Sequence, residues 1–214
     1  MNNKPSFFQK LYRKIEIFLE KINGLDFSSV IPVNRLGLDE SVVGLGSPSN
    51  NKYLKQLFEV LNITQKDSIL DIGCAKGAAM RCMCKFQFKK IGGIEISDIL
   101  AKIAQSNFNK LKEHRVEIAN TNATSFKNYK DYNFFYLYNP FPKEVMLDVL
   151  SQIKSQIKNE NEIILIYNNP TCHELFLEKD YFLIAKFPDM WANGIFVYSN
   201  LENSERLNHI QSKK

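Results

Sequence analysis

The sequence predicts an α/β fold, a Rossmann-like doubly wound sheet of seven strands that is mostly parallel and ends in an antiparallel hairpin strand. From residue 50 onward, short apolar segments alternate with helical segments, and this alternation is typical of parallel strands joined by helices. No helix separates the last two apolar segments, so they read as a hairpin. A glycine-containing turn links the first strand directly to a helix, which is typical of ligand-binding sheets of this class.

The individual elements follow from apolar spacing and from start and stop signals. The predicted strands are residues 68–72, 91–96, 115–119, 132–138, 162–167, 181–187 and 194–198. The predicted helices between them are residues 53–61, 78–88, 97–111, 141–158 and 171–178. Ser97 has the side chain of an N-cap, and Asp98 in the first turn favours the helix dipole.

The first 49 residues have a different character. Apolar residues recur at three- and four-residue spacing over residues 6–22, which predicts an amphipathic helix that Gly24 ends. Its stripe would cap the core or form the seam of a homodimer; the alternative is a membrane-surface or partner-binding helix. Residues 27–49 are rich in proline and glycine and read as a long connection. We therefore expect a helix with a lid or packing arm over 1–49, one main domain over 50–203 and a polar tail over 204–214.

Composition narrows the class of protein. Of 214 residues, 44% are hydrophobic and 24% charged, which is the balance of a folded chain. No apolar run reaches the roughly 18 residues that span a bilayer. Four cysteines without paired spacing predict neither a disulfide framework nor a metal site, so we expect a reduced, cytoplasmic protein. The net charge of +5 is mild and does not favour nucleic acid as a partner.

One segment carries the pattern of a nucleoside site. Asp71 ends a buried strand, and the spacing Asp71-x-Gly73-x-x-x-Gly77 opens the next helix. Gly73 would let the backbone approach a ligand, and Gly77 would let the chain enter the helix without a Cβ clash. Glu95 ends the next strand, where its carboxylate can accept hydrogens from the two ribose hydroxyls.

The position of the acid indicates which nucleoside binds. A nicotinamide-dinucleotide site needs G-x-G-x-x-G, which is absent, and Asp71 before the first glycine would repel a pyrophosphate. A carboxylate at that point suits a cationic group, such as the amino group of a methionine moiety. The pattern therefore favours S-adenosylmethionine over a dinucleotide, and over a glycine turn that binds nothing.

The segment from Asp71 to Gly77, together with Glu95, resembles the cofactor motifs of class I S-adenosylmethionine-dependent methyltransferases. A narrower resemblance, through residues 47–49, 71–77, 93–97, 135–141 and 167–170, is to small bacterial relatives of the disruptor-of-telomeric-silencing histone lysine methyltransferases. It implies these cofactor-binding residues: Ser47, Pro48, Asp71, Gly73, Ala75, Gly77, Glu95, Ile96, Asn122, Ala123 and Asn139. Ala75, Gly46 and Asn122 stand where those families usually have glycine, tyrosine and aspartate.

The methyl acceptor would dock beyond the fourth and fifth strands. Tyr138 and Asn139 are the candidate catalytic residues, since the Asn139 side-chain oxygen and a neighbouring carbonyl can accept hydrogens from an amine and orient its lone pair. The segment resembles the Asn/Asp-Pro-Pro-aromatic motif of amino methyltransferases, with one proline only. Alternatively, Asn139 simply caps the following helix. His173 is a candidate base for a hydroxyl acceptor, or a packing residue.

The sequence thus predicts an S-adenosylmethionine-dependent methyltransferase acting on a nitrogen or oxygen. The acceptor stays open among small molecules, sugars and protein side chains. The alternative is a catalytically inactive cofactor-binding or interaction module of the same fold, which the three departures favour. A nicotinamide-dependent oxidoreductase is disfavoured because its glycine pattern is missing.

Overall fold

The computed structural model describes residues 7–36, 52–158, 160–189, 193–204 and 206. One seven-stranded sheet, in the order β3-β2-β1-β4-β5-β7-β6, forms the centre of the molecule. Its strands are β1 (Ser68–Ile72), β2 (Lys90–Glu95), β3 (Val116–Asn120), β4 (Phe134–Tyr138), β5 (Ile164–Asn168), β6 (Phe182–Phe187) and β7 (Ile195–Ser199). The predicted α/β class and seven-stranded sheet are confirmed.

Six α-helices accompany the sheet in the described part of the chain. They are α1 (Phe7–Ile22), α2 (Lys52–Val60), α3 (Ala78–Met83), α4 (Asp98–Leu111), α5 (Lys143–Gln156) and α6 (His173–Glu178). Ser97 caps α4 as expected, accepting from the Leu100 N–H. Helix α3 ends five residues before residue 88, its predicted end. The N–H groups of Lys85 and Phe86 instead donate to the carbonyls of Cys82 and Met83, three residues earlier, and form tighter turns. No helix among the described residues is both long and apolar enough to cross a membrane.

The strand order reverses between β1 and β4. Both strands are parallel to their neighbours, with Asp71 of β1 opposite Gly93 of β2 on one side and Tyr136 of β4 on the other. Only β7 runs antiparallel, and it pairs with β6 as the predicted hairpin requires. The sheet order places β7 between β5 and β6. In such sheets the crevice for ligands opens at the carboxyl ends of the strands beside this reversal. Asp71 of β1 and Tyr138 of β4 lie near those ends.

Alternate strand residues supply the two cores. Ile69, Tyr136 and Ile166 face one side, where α2, α3 and Phe108 of α4 complete the packing. Leu70, Phe135 and Leu165 face the other side, which α5 and α6 cover. Because side chains alternate along a strand, Asp71 shares the first face with Ile69. A nearly continuous row of buried apolar side chains on both faces explains why these strands read as apolar runs.

The N-terminal helix is attached by its polar side. Both carboxylate oxygens of Glu20 are used: one accepts from the backbone N–H groups of Phe27 and Ser28, the other from the Ser28 hydroxyl and the Arg81 guanidinium. Gly24, with a φ of 68°, ends the helix as predicted. From Leu11 onward the apolar stripe stays exposed, with Phe18 at 62%. This part of the stripe therefore does not cap the core; a homodimer seam stays a prediction.

A second anchor lies just beyond the helix. Lys76, in the turn after β1, is almost fully buried and extends its ammonium group to Asp26 Oδ1 at 2.5 Å and to Ser29 Oγ at 2.8 Å. Asn107 of α4 bonds both the backbone of Asp26 and the Lys76 carbonyl. Residues 25–29 are thus joined to the turn that carries the predicted cofactor motif.

The predicted polar tail begins with anchored residues. Ser204 is buried and donates to Glu162, and Arg206 bonds Asp67 and the carbonyls of Leu61 and Asn62. Asp67 is buried, so the guanidinium supplies it with a cationic partner.

We predict that Glu20→Ala releases α1 from the domain. The substitution leaves the Phe27 and Ser28 N–H groups without their acceptor, which costs about 2 kcal/mol or more of local stability. Hydrogen exchange followed by mass spectrometry should show faster exchange in residues 11–30 only. Glu16→Ala, on the same side of the helix, is the matched control, and equal exchange in the two variants would contradict the anchoring role.

Candidate active site

The turn after β1 is shaped by two glycines. Gly73 and Gly77 have φ values of 83° and 85°, a region that favours glycine. A Cβ at Gly77 would lie 2.5 Å from the Phe108 ring, and one at Gly73 would lie 2.9 Å from the Pro140 Cβ. The N–H groups of Gly73 and Cys74 both donate to the Ile94 carbonyl at 2.9 Å. Gly73 therefore brings the turn against the segment that follows β4.

Glu95 joins this turn to the end of β2. Its carboxylate is buried, and its two oxygens accept from the Ala75 N–H at 2.9 Å and the Ser97 N–H at 2.8 Å. Ala75 adopts a φ of 46°, so the alanine takes the left-handed conformation that glycine would take more easily. An ionised carboxylate offers about four acceptor positions, which leaves capacity for ligand hydroxyls.

Asp71 and Glu95 place two buried carboxyl groups on one face of the sheet. Burial and the Glu95 carboxylate raise the pKa of Asp71 to about 8. Burial also raises the pKa of Glu95, against the backbone hydrogen bonds, which lower it. Lys76, the lysine of the same turn, is bound to Asp26 and Ser29. Two buried carboxylates of this kind suit a ligand that carries positive charge.

The third part of the predicted cofactor pocket follows β3. Asn122 is exposed, and its side-chain oxygen accepts from the N–H and the hydroxyl of Thr124, both at 3.0 Å. It caps the short 3-10 helix Ala123–Ser125, whose first residue is buried. Asn120, which sequence reasoning missed, donates to the carbonyls of Glu95 and Ile96 and so holds the end of β2. Ile96 is 43% exposed and offers an apolar surface beside Glu95.

Asn139 lies in the turn after β4 with a φ of 40°. Its side-chain oxygen accepts from the Tyr167 hydroxyl at 3.1 Å and from Thr171 Oγ1 at 2.6 Å. Pro142 holds the N-cap position of α5, so the interpretation of Asn139 as the cap of that helix is wrong. The amide instead connects the ends of β4 and β5. Tyr138, the other candidate catalytic residue, is half-buried against the first core.

A buried polar residue that sequence reasoning missed lies at the end of β5. Asn168 is fully buried and opposite Tyr138 in register. Its amide nitrogen donates to the Tyr136 hydroxyl at 3.3 Å, whereas its Oδ1 has no hydrogen-bond partner among the described residues. Strand alternation puts Asn168, Tyr136 and Asp71 on the same sheet face. The sequence offers one signal for this residue, namely an asparagine at the end of an apolar strand.

The remaining candidates divide into two groups. His173 bonds the Tyr198 hydroxyl through Nδ1 at 2.7 Å and packs edge-on against Phe196, which supports its packing role. Ser47 and Pro48 lie outside the described residues. Across the described ranges, no cluster of histidine, cysteine or acidic side chains could hold a metal ion.

Structural comparison supports the fold. A SAM-dependent methyltransferase from Aquifex aeolicus matches with a TM-score of 0.54 and 14% identity, over 68% of this chain and 87% of that one. The ribosomal protein L11 methylase from Lactobacillus delbrueckii subsp. bulgaricus matches with a TM-score of 0.54 and 17% identity, over 76% and 82%. The Escherichia coli protein yhhF matches with a TM-score of 0.55 and 16% identity, over 71% and 87%.

Sequence comparison gives the family. No curated protein matches this chain. The model of the ribosomal RNA adenine dimethylase family matches residues 49–176, a span that includes the turn from Asp71 to Gly77, Glu95 and Asn139. The cofactor predicted from the sequence, S-adenosylmethionine, is confirmed by this match. The chain therefore belongs to the ribosomal RNA adenine dimethylase family.

Proposed function

We propose that the chain transfers methyl groups from S-adenosylmethionine to the exocyclic amino nitrogen of adenine in RNA. The observation that carries the proposal is the family match, because it includes both the cofactor turn and Asn139. The sequence leaves nitrogen and oxygen open as the acceptor atom, and this proposal selects nitrogen. It departs from the expectation, based on net charge, that nucleic acid is not a partner; a mild net charge says little about a local surface.

Most residues of the cofactor site have a chemical reason for their assignment. Asp71 would face the positively charged methionine end, and Glu95 would accept hydrogens from the ribose hydroxyls. Ile96, Asn122 and Ala123 would contact the adenine. The turn residues Gly73, Ala75 and Gly77 would shape the pocket, and Ser47 and Pro48 are assigned from the resemblance alone. Asn139, the last residue of the predicted cofactor set, is assigned to the acceptor side as well.

The acceptor side has a different task. The bound cofactor would supply a methyl group on a positively charged sulfur. The amine nitrogen would form its bond to the methyl carbon as the carbon–sulfur bond breaks, the neutral thioether would leave, and the nitrogen would release one proton to water. Asn139 would accept a hydrogen from that amine and so aim its lone pair. Its oxygen already accepts from Tyr167 and Thr171, and the exposed Thr171 hydroxyl can rotate away to make room. Tyr138 would pack beside the transferred methyl.

We predict that Glu95→Ala weakens binding of S-adenosylmethionine roughly a hundredfold, because two charge-assisted hydrogen bonds to the ribose are lost. Isothermal titration calorimetry measures the change. The control is Glu117→Ala, which removes a largely exposed carboxylate on β3. Equal affinity in the two variants would sink the pocket assignment.

We also predict that cofactor affinity depends on the ionisation of Asp71. The raised pKa keeps this carboxyl neutral below about pH 8, so affinity should rise between roughly pH 6 and pH 8 and then level off. Asp71→Asn should remove most of that rise. Between about pH 4 and pH 8 the native form also binds more protons than the unfolded chain, so stability falls as pH rises through that interval. Asp71→Asn should therefore melt at a higher temperature than wild type at about pH 8.

Calorimetry at several pH values and thermal melts measure both effects. An affinity rise that persists unchanged in Asp71→Asn would assign the titration to another group. A melting temperature lower in Asp71→Asn than in wild type at about pH 8 would contradict the view that Asp71 carries a buried, uncompensated charge.

The acceptor proposal is tested by incubating the protein with isotope-labelled S-adenosylmethionine and an extract separated into RNA, protein and small molecules. We expect label in RNA, recovered as adenosine methylated on its amino nitrogen. Asn139→Ala should slow the transfer roughly a hundredfold while changing cofactor affinity far less. Asn128→Ala, which changes an exposed asparagine, is the control. Label confined to the protein or small-molecule fraction would refute RNA as the acceptor.

Cofactor binding without label in any fraction would instead support the catalytically inactive module. The left-handed conformation of Ala75 is the observation that favours this second candidate. The narrower resemblance to relatives of the disruptor-of-telomeric-silencing enzymes stays a prediction, and label on a protein lysine would support it.

A further inference from the structure

Helix α1 presents a continuous apolar stripe to solvent. Leu11, Ile15, Phe18 and Ile22 recur at intervals of four, three and four residues, so they follow one face of the helix. Tyr12 and Leu19 widen this stripe, and the six side chains are each between 44% and 72% exposed. Single exposed apolar residues are ordinary, whereas a contiguous patch of six exposed apolar side chains marks an interaction surface.

Two lysines of the same helix, Lys14 and Lys21, lie beside this stripe. Among its side chains described in the structure, residues 11–22, the exposed charged ones are all cationic: Arg13, Lys14 and Lys21. Glu20 lies opposite the stripe together with Arg13, whereas Glu16, one turn earlier, lies beside Tyr12 and Leu19 at one edge of the stripe. The Arg81 charge acts on both acids. Lys14 precedes Phe18 by one helical turn and Lys21 follows it by one, so lysines border the stripe.

The attachment of α1 leaves the stripe available. Glu20 bonds Arg81, Phe27 and Ser28, and the backbone at Gly24 and Leu25 closes onto the carbonyls of Lys21 and Glu20. These contacts use the polar side of the helix and its carboxyl end. The domain therefore holds the helix in place with its apolar side turned outward.

We propose that α1 binds an anionic lipid surface. A helix with a strong apolar face, basic residues along that face and low mean hydropathy lies in the plane of the membrane interface. Phe18 and Ile22 would enter the boundary between headgroups and acyl chains, and Lys14 and Lys21 would contact anionic headgroups. The helix has 16 residues, several of them charged, so it lies on the bilayer and does not cross it.

Two other occupants explain fewer of these observations. In an antiparallel pair with a second copy, the same helix edges face each other, so Lys14 and Lys21 would approach their own counterparts. RNA offers phosphates to the lysines but leaves Phe18 and Ile22 without an apolar partner. An anionic bilayer satisfies both the lysines and the stripe. This inference does not depend on the proposed methyl transfer.

The test is co-sedimentation of the full chain with vesicles. One set contains equal parts of phosphatidylcholine and phosphatidylglycerol, and the other phosphatidylcholine alone. We expect binding to the anionic vesicles, weakened at least roughly tenfold by the double variant Phe18→Ser, Ile22→Ser. Lys14→Gln with Lys21→Gln should weaken anionic binding roughly tenfold as well, without changing the weaker binding to neutral vesicles.

Leu177→Ser in α6 is the matched control, since it also replaces an exposed apolar side chain and should leave vesicle binding unchanged. Circular dichroism and cofactor titration of every variant verify the fold. Sedimentation of wild type that equals the Phe18→Ser, Ile22→Ser variant overturns the proposal. A second pattern also overturns it. In that pattern Phe18→Ser, Ile22→Ser keeps vesicle binding but abolishes either a concentration-dependent dimer seen by light scattering or affinity for an RNA hairpin.

Discussion

The bridge made by the Glu95 carboxylate is the interaction on which the candidate site depends. One oxygen holds the N–H of Ala75 in the turn after β1, and the other holds the N–H of Ser97 at the start of α4. The turn, the end of β2 and the next helix therefore share one buried anion. The same carboxylate is the group assigned to the ribose, so the residue that would recognise the cofactor also shapes the turn.

The buried carboxylates also explain a tension between stability and function. Asp71 and Glu95 lie close enough that the charge of one raises the pKa of the other, and burial works in the same direction. A chain optimised for stability alone would place an apolar or amide side chain at Asp71. Keeping an acid there makes sense when a positively charged ligand completes the site.

Much of the fold could be predicted because its signals are local. Apolar runs, the Ser97 cap and the spacing of Asp71, Gly73 and Gly77 are read within a few residues, and they gave the sheet, the hairpin and the cofactor class. What could not be predicted rests on contacts between distant segments. Nothing near Gly77 indicates that its hydrogen faces Phe108, and nothing near Asn139 indicates that its amide meets Tyr167 and Thr171. The buried Asn168 likewise acquires its setting only once β5 lies beside β4.

The anchoring of Lys76 bears on where the folding unit begins. Its ammonium group is buried and bonds Asp26 and Ser29. The Asn107 amide donates to the carbonyls of Asp26 and Lys76 and so holds the same two segments together. A fragment trimmed to the family-matched span would start at residue 49 and lose those partners. It would leave a cation without its counter-charge directly beside the cofactor turn. We therefore expect the stable unit to begin before the family-matched span, upstream of Asp26.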